Sequence, residues 1–155
     1  MTLTRRLLAI LLLALPGLGS GCPTTPGAGT RSGELTTQRL KWSAQSIRHY
    51  QYEFQRTCEC LPEMAPHVLI EVRDGAVISV VDAGTRASLA SVPAANKPTI
   101  EELFGELGRA LREADRVNAE YDPTFGYPTR VNIDWDIDVG DDERVYVARN
   151  LTRLD

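Results

Sequence analysis

The chain has 155 residues, with 17 basic and 21 acidic side chains, a net charge of −4 and a mean hydropathy of −0.21. That length allows one ordinary domain with extensions and leaves no room for a second large one. The acidic balance argues against nucleic acid, whose phosphates are held by clustered Lys and Arg, and against docking on anionic lipid through a basic patch.

In chain order, the first element is an address. Arg5 and Arg6 precede an apolar run from Leu7 to Leu18, and small residues lead to Cys22. These are the parts of a bacterial export signal, residues 1–21, and a Cys placed directly after the cleavage site points to lipid attachment at Cys22. The usual pattern puts Leu three places before that Cys. Here Leu18 stands one place earlier and Gly19 occupies the position. A transmembrane anchor is the competing reading, but about twelve residues at about 1.5 Å each span about 18 Å, against a hydrocarbon core of about 30 Å. Pro16 and Gly17 also break the run near its end. Cleavage removes Arg5 and Arg6, so 15 basic residues would face 21 acidic ones and the mature net charge would be −6.

Residues 22–34 follow as lipidated Cys and tether. Pro23 to Gly33 holds two Pro and three Gly, with Ala28 as its one aliphatic side chain. Such a stretch buries too little surface to offset the entropy of ordering. The folded unit is expected over 35–155.

A helix is predicted at about Thr36 to Arg48, where Leu40, Ala44 and Ile47 share a face and Trp42 points to nearly the opposite side, there to pack on a loop or sheet end or to meet a partner. Tyr50, Tyr52 and Phe54 then alternate with polar residues. Val68, Ile70 and Val72 lead into Asp74-Gly75, a two-residue hairpin signal, and Val77 to Val81 returns. The connection from Asp82 to Pro98 reads as a mobile flap or crossover. The clearest helix begins at Thr99, which caps the first turn while Glu102 returns the bond. Ile100, Leu103, Phe104, Leu107, Ala110, Leu111 and Ala114 follow at spacings of three and four. Three more strands are expected at Val117 to Tyr121, Val131 to Val139 and Val145 to Leu151. The order is helix, three strands, helix, three strands, an α+β fold (αβββαβββ) built as two helix-plus-three-strand units whose strands form one antiparallel sheet, with the helices on one face.

Several residues carry candidate chemistry. Cys58 and Cys60 are the thiols left once Cys22 is acylated, and an exported protein meets an oxidising compartment, so they are candidates for a disulfide. Two residues apart on a straight strand their Cα atoms sit about 6.5 to 7 Å apart, at the edge of what a bridge tolerates. Reduced thiols, a redox pair, or a metal site with His67 and His49 are the alternatives. Cys-x-Cys with a His seven residues on matches no standard zinc spacing. Asp134, Asp136 and Asp138 invite a calcium reading, but Val139 and Val145 stand where a calcium loop needs Gly and Glu. Alternation offers the other account: Val131, Ile133, Trp135, Ile137 and Val139 face a core and the aspartates face water. The loop Asp122 to Pro128 reads as a packed turn, with Phe125 and Tyr127 as candidate partner contacts.

Trp42, Tyr50-Gln51-Tyr52, Cys58-Glu59-Cys60, the Val68 to Val77 hairpin, Thr99 to Phe104 and the stretch Tyr121 to Asp134 resemble, in that order, the DUF6174 family of bacterial exported proteins and lipoproteins. The resemblance spans nearly all of the expected domain and implies no assigned activity and no cofactor. The helix-plus-three-strand unit also looks like that of PepSY-type and beta-lactamase-inhibitor-type proteins, which is an analogy of fold. No serine elbow, phosphate loop, dinucleotide fingerprint or zinc-protease motif occurs. The expectation is therefore a non-catalytic envelope lipoprotein, held to a membrane by lipid on the periplasmic or extracellular side, that binds a protein or peptide. The alternative is a thiol-redox or hydrolytic enzyme using Cys58 and Cys60, or a carboxylate pair such as Asp122 and Asp134.

Overall fold

A computed structural model describes residues 28–57, 65–89 and 97–155. The signal segment, Cys22, Cys58, Cys60 and residues 90–96 of the connection before Pro98 lie outside the described residues. Among those described, no helix is long and apolar enough to cross a membrane.

The chain runs α1 (Ala28–Ala44), β1 (His49–Thr57), β2 (Val68–Arg73), β3 (Ala76–Asp82), α2 (Ile100–Glu113), β4 (Arg116–Tyr121), β5 (Pro128–Asp134) and β6 (Arg144–Arg153). All six strands form one sheet in the order β3-β2-β1-β6-β5-β4, and every neighbouring pair is antiparallel. The last strand thus enters the middle of the sheet and joins the two three-strand meanders. The fold is α+β. Its core is the inner face of the sheet, where Tyr50, Tyr52, Phe54, Val68, Ile70, Val72, Val131 and Ile133 meet Ile100, Phe104 and Leu107 of α2.

Local chemistry sets each boundary. Asp74 and Gly75 both adopt positive φ, 50° and 77°, so the β2–β3 loop takes two residues and Arg73 pairs with Ala76. Thr99 and Glu102 form the complete capping box at the start of α2. In β6 an extra residue opposes β1 between Gln51 and Glu53, and Asn150, at φ 54°, absorbs the bulge. Beyond β3, the carboxylate of Asp82 accepts from the Gly84 and Thr85 backbone and from the Thr85 hydroxyl, and Val81 bridges to Ser88. Residues 82–89 are therefore a closed turn rather than the start of a flap.

Three expectations are corrected. The helix starts at Ala28, so the end of the expected tether belongs to it: Arg31 donates to the Val117 carbonyl on β4, and Leu35 is buried against α2. The buried face of α1 is that of Leu35 and Trp42, with Trp42 5% and Leu40 64% exposed. The large indole outweighs the smaller Leu40–Ala44 stripe because it finds two aromatic edges and a hydrogen-bond acceptor. Finally, β5 stops at Asp134. Ile137 and Val139 are 56% and 51% exposed, and the Asp136 carbonyl accepts from Val139 in a turn. Trp135 leaves the strand line because Arg109 stacks on its ring at 4.2 Å, with Arg144 at 5.8 Å.

Two consequences are measurable. Trp42→Ala should lower stability by about 3–5 kcal/mol and Leu40→Ala by no more than about 0.5, read from urea unfolding midpoints. Burial, first of all, raises the phenols of Tyr50, Tyr52, Tyr121 and Tyr127 above their ordinary value of 10.0, Tyr121 to about 12. A raised folded-state value is a stabilising contribution fully present below pH 10.0 and lost as pH rises above it. Phenolate absorbance of these four should therefore appear together with unfolding in an alkaline titration, and not before it.

Candidate functional site

A half-open cleft of about 520 Å³ lies on the inner side of the sheet, lined by Phe54, Arg56, Pro66, Lys97, Pro98, Glu102, Leu103, Glu106 and Tyr146 among others. Its floor comes from the end of β1 and the start of β6. Arg56 pairs in register with Tyr146 and holds its guanidinium 5.9 Å from that ring, and Phe54 stacks on the same ring at 6.2 Å and 21°. Tyr50, Tyr52, Phe54 and Arg56 share one parity on β1, so Arg56 occupies a position that the three aromatics before it use for the core. One wall is the flank of α2 carrying Glu102, Leu103 and Glu106. The opposite flank of α2 packs on α1.

The position of that wall is set by hydrogen bonds. Glu101 accepts from Trp42 Nε1 at 2.9 Å and from the Tyr50 hydroxyl at 3.1 Å, and the same hydroxyl accepts from the Ile100 N–H at 3.0 Å. Tyr52 donates to the Pro98 carbonyl. Within the cleft the carboxylates are occupied: Glu102 accepts from the Thr99 N–H at 2.8 Å, and Glu106 takes Arg109 Nη2 at 2.8 Å and, at 3.5 Å, the Tyr146 hydroxyl. Burial, and then the charge of Arg56, push the Lys97 ammonium below its ordinary value.

The residues singled out in the sequence lie elsewhere. Tyr127 is 3% exposed and packs edge-on to Trp42; Phe125 is half-buried against the core. The loop from Asp122 to Pro128 is thus the packed turn that its sequence indicates, and buried Tyr127 is not a partner contact. Asp122 accepts from the Thr124 and Phe125 N–H groups, Lys41 donates to the Pro123 carbonyl, and Gly126, at φ +84°, lets the loop approach α1 so closely that a Cβ would lie 2.9 Å from the Gln38 carbonyl oxygen. Asp122 follows the end of β4 that pairs with Pro128, and Asp134 pairs with Arg116 at the other end, so the two carboxylates are about 20 Å apart and form no pair.

Asp134 is 9% exposed, with Arg116 at 4.0 Å, so it does not stand in water as alternation implied. Asp136 accepts from the Asp138 N–H in the turn. Among the described residues no three His, Cys, Asp or Glu side chains are grouped to hold a metal, Asp134, Asp136 and Asp138 included. The two histidines are also separate: His49 contacts Glu71 at 2.7 Å near one end of β1, and His67 contacts Glu53 at 3.0 Å near the other, on the open face.

The cleft itself was missed. Its legible signal was a charged residue, Arg56, at the inward parity of an otherwise aromatic strand, together with Lys97 just ahead of the Pro98-Thr99 helix start. What joins them is long-range: Tyr146 lies 90 residues after Arg56 in the chain and pairs with it only because β6 enters the sheet centre.

The family described as "Family of unknown function (DUF6174)" matches residues 34–153. The chain belongs to this family. No curated protein and no solved structure matches it.

On the open face, Glu53 accepts from Asn150 Nδ2 at 3.0 Å and Arg149 Nε at 3.2 Å. The Asn150 hydrogen bond first, then Arg149 and His67, hold its carboxyl below the ordinary 4.5 despite partial burial. A lowered folded-state value stabilises above pH 4.5 and is lost as pH falls through the folded value. Glu53→Gln should therefore remove part of the stability difference between neutral pH and pH below 4.5, measured by thermal melts across that range.

Proposed function

We propose that this DUF6174 chain is an exported lipoprotein, acylated at Cys22, whose domain, opened by α1, binds a segment of another polypeptide in the cleft between α2 and strands β1 and β6. The cleft carries this reading. It has the size of a ligand site, with apolar walls from Phe54, Pro66, Pro98, Leu103 and Tyr146 and a few polar groups at fixed positions. Binding rather than turnover is supported by the engagement of both its carboxylates, Glu102 in a helix cap and Glu106 with Arg109, which leaves neither placed as a free general base.

Export is supported by the basic, apolar and small-residue segments that precede Cys22. In an oxidising compartment Cys58 and Cys60 are the thiols left to pair. The repeated order of a helix and three strands along the chain supports an internal duplication of the PepSY-like or inhibitor-like kind.

The test uses the full chain in a bacterial envelope, with metabolic labelling by a fatty-acid analogue. The wild type should take up label and Cys22→Ser should not; equal labelling overturns the anchor. A photo-crosslinking residue placed at Ala65, on the cleft wall, should give discrete protein adducts that the same residue at Arg130, on the open face, does not. Identical adduct patterns from the two positions would refute the cleft as the binding site.

A further inference from the structure

The whole chain is acidic, yet two cations line this cleft. Arg56 lies 5.9 Å from the Tyr146 ring, and Lys97, next to Pro98, lines the same cleft close enough to feel the charge of Arg56. The two carboxylates that line the same cleft are engaged within α2. Glu106 is held by Arg109 at 2.8 Å, and Glu102 sits at the positive end of the helix accepting the Thr99 N–H. Among the described residues no carboxylate forms an ion pair with Arg56 or Lys97. Two cations with no ion-pair partner among the described residues, in a site with one exposed side and apolar walls, are complementary to an anion carried on an apolar or aromatic body.

We infer that the cleft selects an acidic peptide, with an Asp or Glu carboxylate placed between Arg56 and Lys97 and a neighbouring apolar side chain against Phe54, Leu103 and Tyr146. This rests on the cleft being the polypeptide-binding site, and adds the chemistry it recognises. The walls decide in favour of a peptide over a small inorganic anion: Phe54, Pro66, Pro98, Leu103 and Tyr146 provide a surface that a phosphate or sulfate leaves unused. The depression of the Lys97 ammonium agrees with the arrangement, since a carboxylate there would relieve both of its causes, the buried charge and the neighbouring guanidinium. The chain's overall negative field opposes acidic ligands at long range. Attraction is therefore confined to this cleft and should weaken with added salt.

The experiment is equilibrium dialysis of the full-length lipidated chain in detergent against two pools of short N-acetylated, C-amidated peptides. Both pools have one aromatic or aliphatic residue; in one its neighbour is Asp or Glu, in the other Asn or Gln. Retention is read by mass spectrometry. The acidic pool should be retained about tenfold or more over the amide pool. Arg56→Gln and Lys97→Gln should each remove most of that preference, whereas Arg130→Gln, which deletes a cation on the open face, should leave it intact. Equal retention of the two pools overturns the acidic selectivity and leaves the peptide-binding cleft standing. Retention of neither pool by the wild type overturns both. A preference that survives Arg56→Gln and Lys97→Gln together refutes the assignment of the carboxylate to these two residues. Circular dichroism of each variant confirms that it folds; Arg56 is exposed and Lys97 half-buried, so neither is a core side chain.

Discussion

One carboxylate organises the molecule. Glu101, in the first turn of α2, receives the indole N–H of Trp42 and the hydroxyl of Tyr50, and that hydroxyl in turn receives the Ile100 N–H. Three elements distant in sequence are thereby joined at one point. Both donors belong to side chains that are almost wholly buried, so without an acceptor each would carry an unsatisfied polar group into the core, at a cost of about 1–3 kcal/mol. The negative charge also lies at the positive end of the helix. Packing alone could bring α1, α2 and β1 together in more than one register, whereas this arrangement fixes a single one.

The rest of the helical layer follows from that register. Trp42 lies at Glu101, Arg39 lies over the Phe104 ring at 5.9 Å, and Leu35 lies beside Gly108. The numbers rise on one helix as they fall on the other, so α1 and α2 are antiparallel neighbours, with Leu35 against Gly108. Lys97 and Pro98, which line the cleft, immediately precede the capped start of α2, and Tyr52 holds the Pro98 carbonyl. The cleft is therefore positioned by the same interaction that docks the helices.

Much of this fold was legible because it is written in local patterns. The capping box at Thr99 and Glu102, the hairpin at Asp74-Gly75 and the alternation of Tyr50, Tyr52 and Phe54 each depend on neighbours within a few residues, and each appears where the sequence places it. The failures share a different cause. Trp42 and Leu40 cannot be ranked without knowing that Tyr50, Tyr127 and Glu101 await the indole. The alternation from Val131 to Val139 is regular in sequence, but Arg109 of α2 captures Trp135 and the strand ends one residue before it. Tyr127 has the sequence context of an exposed loop aromatic and is buried because Gly126 lets the loop reach α1. In each case a long-range partner overrode a correct local pattern, and the cleft, assembled from β1, β6 and α2, is of the same long-range kind.

The width of the sheet explains why a cleft exists at all. Six strands about 4.8 Å apart span about 24 Å, and two helices about 10 Å wide cover about 20 Å of it. The helices lie toward one side, with α2 against β4 and β5. Leu89, from the connection that follows β3, also packs on the core, and the cleft opens beside α2 over the end of β1 and the start of β6. This also accounts for a guanidinium at an inward position of β1. Under a closed roof Arg56 would cost several kcal/mol as an unpaired buried charge, and in a cleft open to solvent or ligand it does not. An apolar residue at 56 would serve a closed core at least as well, so the presence of Arg there fits a face that the fold leaves open.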